Sequence, residues 1–150
     1  MGLDELKQKV QRILTEFVGS VRVDKEGRFI VTYNSAAVYV SCWEQTGEEN
    51  EEFSRLGVSF TCPLVKDIPV SNELFRHIAT EHDFLFGNLI VQLYDDDRKA
   101  FILFKHSILG KDVDASEIEN ALSAVIYAGD ELDTELHKRF GGTMYGTDRD

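Results

Sequence analysis

Leu3, Leu6, Val10, Ile13, Leu14 and Phe17 recur at three- and four-residue steps, the spacing of one helix face. The pattern predicts an amphipathic helix over residues 3–17 that stops at Gly19. From residue 28 the period shortens to two. RFIVTYN (28–34) follows the turn DKEG, and AAVYVSCW (36–43) follows a tight Asn34–Ser35 connection, which predicts two strands. A third strand is expected near 55–62, with Leu56, Val58, Phe60 and Cys62 on one face and Gly57, Ser59 and Thr61 on the other. QTGEENEE (45–52), with four glutamates and no apolar residue, is expected to be a solvated, mobile loop.

Pro63 and Pro69 bracket LVKDIPV, which is expected to be a connector. Ser71 stands as N-cap of a helix NELFRHIATEH, with Glu73 in the first turn where the dipole favours negative charge. LIVQLY and AFILFKH flank the turn DDDRK. Both are apolar on alternate positions and in between, as strands covered on both sides and central in a sheet are. Asp114 and Glu117 form a capping box before the last helix, whose stripe runs Ile118, Leu122, Val125, Ile126, Leu132, Leu136 and Phe140. Gly129 within it marks either a break or a close-packing point, and a kinked or two-part helix is the favoured expectation. Gly141 or Gly142 supplies a left-handed C-cap. The order α-β-β-β-α-β-β-α predicts an α+β fold, one antiparallel sheet packed by helices. Residues 1–142 form a single domain and residues 143–150 a disordered tail.

Charge narrows the function classes. The chain of 150 residues carries a formal net charge of −11, which argues against nucleic acid, where Lys and Arg must neutralise phosphates. It disfavours anionic membranes equally, and no apolar run approaches the roughly 20 residues that cross a bilayer. The start MGLDELKQKV is charged and amphipathic without a signal-peptide core, so a cytoplasmic location is expected. The acidic run Asp130, Glu131, Asp133 and Glu135 falls opposite Leu132 and Leu136, which predicts a solvated helix face with Lys138 and Arg139 at the negative helix end.

Chemical motifs are sparse. Cys42 and Cys62 lack CxxC partners and are expected to be reduced, buried thiols. His77 and His82 lie five apart, about 140° from each other around a helix, where a zinc pair needs a spacing of one turn. No metal site and no cofactor is therefore expected. DVDASEIENALS fails as a calcium loop, having Glu117 for the turn glycine and Ser123 for the bidentate glutamate. With no phosphate-binding loop or nucleophile elbow, the chain is expected to be a non-enzyme, an unrecognised hydrolase having no motif in its favour.

PLVKDIPVSNELFRHIATEHDFLFGNLIV and FKHSILGKDVDASEIENALSAVIYAGDELDTELHKRFGG resemble the type III secretion chaperone-like fold, and within it the YbjN-type peptide-binding domains of bacteria, mostly actinobacteria. The resemblance covers nearly the whole chain and is strongest over residues 63–142. It implies a small α+β domain that binds peptide segments of other proteins, often as a homodimer. The alternative is a regulatory or scaffold homodimer subunit that binds no free peptide.

An acidic surface suits a basic or amphipathic partner. The candidate peptide-binding patch is the strand face opposite Val38, Val40 and Cys42, namely Tyr39 and Trp43 with Tyr33 and Phe29 nearby. The competing reading packs these aromatics under a helix. Phe75, beside Leu74 and Ile78 on the middle helix, is the candidate dimer-interface residue.

Overall fold

A computed structural model describes residues 1–34, 36–47 and 54–145. In chain order these form α1 (Leu3–Val18), β1 (Arg22–Val23), β2 (Phe29–Tyr33), β3 (Ala36–Thr46), β4 (Ser54–Pro69), α2 (Asn72–Thr80), β5 (Asn88–Tyr94), β6 (Lys99–Leu109), α3 (Ala115–Phe140) and β7 (Thr143–Met144). The strands make one antiparallel sheet in the order β1-β2-β3-β4-β6-β5, with β7 pairing β4. The α+β class and the order of the eight expected elements hold. Most of QTGEENEE (45–52) lies outside the described residues, and Gln45 and Thr46 extend β3.

The helices cover one face of the sheet. Leu6, Val10, Ile13 and Leu14 of α1 and Ile118, Leu122, Val125 and Leu136 of α3 are buried with Val38, Val40, Val58 and Phe60. Each such side chain contributes about 1.5–3 kcal/mol by leaving water. Gly19 ends α1 in a positive-φ conformation, its N–H donating to Thr15 O. Ser71 Oγ accepts from Leu74 N–H at 3.1 Å, and the Asp114–Glu117 capping box closes in both directions, so both predicted N-caps form. No helix among the described residues is long and apolar enough to cross a membrane.

Three expectations about these elements are corrected. α3 is one uninterrupted helix of 26 residues. Gly129 is its close-packing point, since a Cβ there would stand 2.7 Å from Cys62 Sγ. LVKDIPV is not a connector: β4 continues through it to Pro69. Its register shifts against β6 between Pro63 and Val65 and again between Val65 and Ile68, with Asp67 at φ 59°. Those bulges accommodate prolines, which lack the ladder N–H. LIVQLY, expected to be central, is the edge strand β5, pairing with β6 alone among the described strands and leaving Leu93 and Tyr94 exposed.

The tail is ordered as far as Tyr145. β3 stops pairing at Tyr39–Thr61, leaving the far end of β4 without that neighbour. β7 takes the place, matching Val65 with Met144 and Lys66 with Thr143. A strand edge with unpaired N–H and C=O groups is satisfied in this way. Residues 146–150 lie outside the described residues.

Candidate functional site

Large apolar side chains stay in water along the outer side of α3. Tyr127 is 71% exposed and stands between two grooves that share it and Ser123. The first, about 550 Å³, lies between α1, β2 and α3 and is lined by Phe17, Val18, Thr32, Tyr33 and Ile126. Phe17 occupies the last turn of the α1 stripe and Tyr33 the last position of β2 on the core-facing side. Both run past the end of the packed core, which leaves Phe17 44% and Tyr33 60% exposed. The second groove, about 600 Å³, lies between α3 and the α2–β5 connection. Phe84, Phe86 and Leu132 form its apolar wall, and Glu131 and Glu135 its acidic rim. Exposed apolar side chains gathered in this way make the two grooves a candidate contact surface.

The acidic run on α3 is not uniformly solvated. Asp130 and Glu131 are exposed, but Asp133 is half-buried, and burial, reinforced by neighbouring Asp130, raises its carboxyl above the ordinary value. Glu135 faces histidines.

The four expected patch residues divide among three environments. Phe29, opposite Val40, is in the core at 4% exposure. Tyr33 lies in the first groove, on the helix-covered side. Tyr39 and Trp43 share the other face of the sheet, where both engage neighbours within the chain rather than a helix. The Trp43 indole fills the space a side chain on Gly57 would need, and its Nε1 donates to Ser59 Oγ at 2.8 Å. The Tyr39 hydroxyl meets Tyr145 at 2.5 Å, and Arg28, itself held by Asp24 at 2.7 Å, stacks over the Tyr39 ring. A smaller space of about 390 Å³ remains there, among Tyr39, Ile90, Phe101, Leu103 and Tyr145. Phe75 is 37% exposed on α2 and lines neither groove. Sequence reasoning placed Phe17 in the core stripe and passed over Tyr127. The available signal for Tyr127 was a large aromatic lying off the α3 stripe.

The expected divergence of His77 and His82 fails because α2 stops at Thr80. His82 is therefore not bound to helical rotation, and its Nε2 returns to 3.0 Å from His77 Nε2. Glu135 Oε1 of α3 lies 3.6 Å from the first nitrogen and 3.8 Å from the second. His77 is 2% exposed. Its Nδ1 meets the Glu81 carboxylate, which also accepts from Arg139 Nη1 at 2.8 Å. These hydrogen bonds, that from Arg139 first, lower the Glu81 carboxyl below its ordinary value.

Residues 4–148 match the family model described as T3SS (YopN, CesT) and YbjN peptide-binding chaperone 1. Among solved structures the chain is similar to the Yersinia pestis type III secretion chaperone SycH, crystallised in complex with a stable fragment of YscM2. That likeness has a TM-score of 0.50 at 12% identity and covers 85% of this chain and 98% of that one. A chain of the ExsC–ExsE complex superposes with a TM-score of 0.54 at 18% identity, covering 86% of this chain and 94% of that one. At these identities the likeness is one of fold. A search of curated proteins gives no match.

Proposed function

This chain belongs to the family of T3SS and YbjN peptide-binding chaperones, and we propose that it holds a peptide segment of a partner protein across α3, in the two grooves joined by Tyr127. The carrying observation is the 71% exposure of Tyr127 in the lining that the two grooves share, with Phe17 and Tyr33 in one groove and Phe86 in the other. Aromatic side chains give large contact area at low entropic cost. Glu131 and Glu135 rim the second groove, so the segment that fits is amphipathic, with apolar residues over Tyr127 and basic residues beyond Phe86. The role is non-enzymatic binding in the cytoplasm.

Fluorescein-labelled amphipathic peptides, one series basic and one acidic around the same apolar residues, test this by anisotropy. The basic series is expected to bind, and Tyr127→Ala or Phe17→Ala to weaken it tenfold or more, about 1.4 kcal/mol or beyond. Equal binding of both series, or loss on Tyr39→Ala with Tyr127→Ala unaffected, overturns the assignment.

We also propose self-association through Phe75, whose 37% exposure outside both grooves leaves it available to a two-fold partner. Sedimentation equilibrium is expected to show a dimer that Phe75→Glu separates with the circular-dichroism spectrum unchanged. A monomer for the unsubstituted chain at tens of micromolar sinks it.

A further inference from the structure

We propose that His77, His82 and Glu135 form a binding site for a zinc-like divalent cation at the end of the second groove. Zinc takes ligands at about 2.0–2.2 Å in tetrahedral array, which separates neighbouring donor atoms by about 3.3–3.6 Å. The three donor atoms here lie 3.0, 3.6 and 3.8 Å apart. A small movement of each places one cation at bonding distance from all three. The donor set of two imidazoles and one carboxylate suits zinc and its first-row neighbours.

The hydrogen bonding of His77 fits the role. A carboxylate only accepts, so the contact of Glu81 with His77 Nδ1 puts the ring proton on that nitrogen. Arg139 Nη1 also lies 2.9 Å from Nδ1, but it donates to Glu81 Oε2 at 2.8 Å, and the acceptor-only carboxylate set against Nδ1 requires the ring proton there. His77 Nε2 therefore carries a lone pair aimed at His82 and Glu135. A carboxylate behind a ligating histidine fixes ring orientation and raises basicity. Packing fixes both rings as well: His77 is edge-on to Phe140 at 5.2 Å, and His82 stacks on Phe84 at 5.1 Å and 11°. Without a cation, His82 Nε2–H donates to His77 Nε2, and binding replaces that bond by shifting the His82 proton to Nδ1. His82 and Glu135 line the groove, so the fourth position faces it and is open to water.

The site goes beyond peptide binding and is tested on the free, untagged chain, so failure of one leaves the other standing. Zinc chloride titrated into the protein is expected to bind at one ion per chain, and cobalt(II) to give a tetrahedral-type visible spectrum free of thiolate charge-transfer bands. His82→Ala and Glu135→Gln, both outside the buried core, are expected to weaken zinc at least tenfold with the circular-dichroism spectrum unchanged. Glu81→Gln is expected to weaken it about 10–100-fold while keeping the stoichiometry. Absence of uptake by the unsubstituted chain, or uptake unchanged in both His82→Ala and Glu135→Gln, overturns the site.

Discussion

Gly129 of α3 lies directly against Cys62 of β4, so close that a methyl group on the glycine would stand 2.7 Å from the sulfur and 3.6 Å from Leu64 Cδ2. The glycine in the middle of the helix is thus where α3 is drawn down onto the sheet. Gly→Ala in a helix ordinarily gains about 1 kcal/mol, whereas overpacking a dense interior costs about 1–3 kcal/mol. Cys62 is 1% exposed and has little room to retreat, so overpacking wins. Gly129→Ala is expected to destabilise by about 1 kcal/mol in urea unfolding. The same substitution in a Cys62→Ala background is expected to cost less or to stabilise, a coupling that a double-mutant cycle reads. Additive effects would show that the helix does not rest on the sulfur.

Cys42 is expected to resist alkylation. Burial pushes its thiol up from 9.0 to about 11, with Lys7 opposing weakly. The thiolate, the reactive form, is then about a hundredfold scarcer at pH 8 than for a thiol at the ordinary value. Iodoacetamide followed by mass spectrometry should modify Cys42 and Cys62 rapidly only after denaturation. Two fast additions to the native chain would contradict this.

Asp114→Ala removes half of the capping box that starts α3, in which Asp114 Oδ1 accepts from Glu117 N–H at 2.8 Å. The expected loss is about 1 kcal/mol, within the 0.5–2 kcal/mol typical of such caps, and Asp114→Asn should recover most of it. A melting temperature unchanged by alanine would show that packing alone starts the helix there.

Asp133 predicts a pH dependence of its own. Burial holds its carboxyl above the ordinary 3.8 in the fold, assisted by Asp130 and opposed by Thr134 and His137. The folded state therefore keeps the proton to higher pH than the unfolded chain. Its charge burdens the fold above the folded value, and the burden disappears as pH falls below the unfolded one. Because the group is only half-buried, solvent screens the effect, which stays within about 0.5 kcal/mol. Asp133→Asn is expected to raise the melting temperature slightly at pH 7 and leave it unchanged near pH 3. A substitution that destabilises equally at both would assign Asp133 a hydrogen-bonding role instead.

The candidate surface was only partly legible in the sequence. Tyr33 is exposed in the first groove, but not beside Tyr39 and Trp43, where alternation from the neighbouring strand suggests it. Tyr33 follows the parity of Phe29 and Val31, and it is exposed because β2 outruns the core. Trp43 looked available because alternation put it on the face opposite Val40. Nothing local shows that Gly57, fourteen positions later, leaves a gap fitted to its indole. Phe17 obeys the α1 stripe perfectly, and only the position of β2 and α3 decides that its turn has nothing to bury against.

The sequence by itself determined what depends on near neighbours. Periods of 3.6 and 2 placed the three helices and the strands, Ser71 and Asp114 marked helix starts through hydrogen bonds spanning three residues, and the stripes named most of the core. The tertiary structure decided whatever depends on which strand lies beside which. It made β5 an edge although its composition is that of a central strand, and it carried β4 through two prolines on bulges. It also drew residues 143–144 into the sheet and brought Glu135 of α3 to His77 and His82. The physical reason is that a side chain's alternation fixes only the face it points to. What stands opposite that face is set by sheet pairing and helix docking between residues far apart in the chain, where no local spacing carries the information.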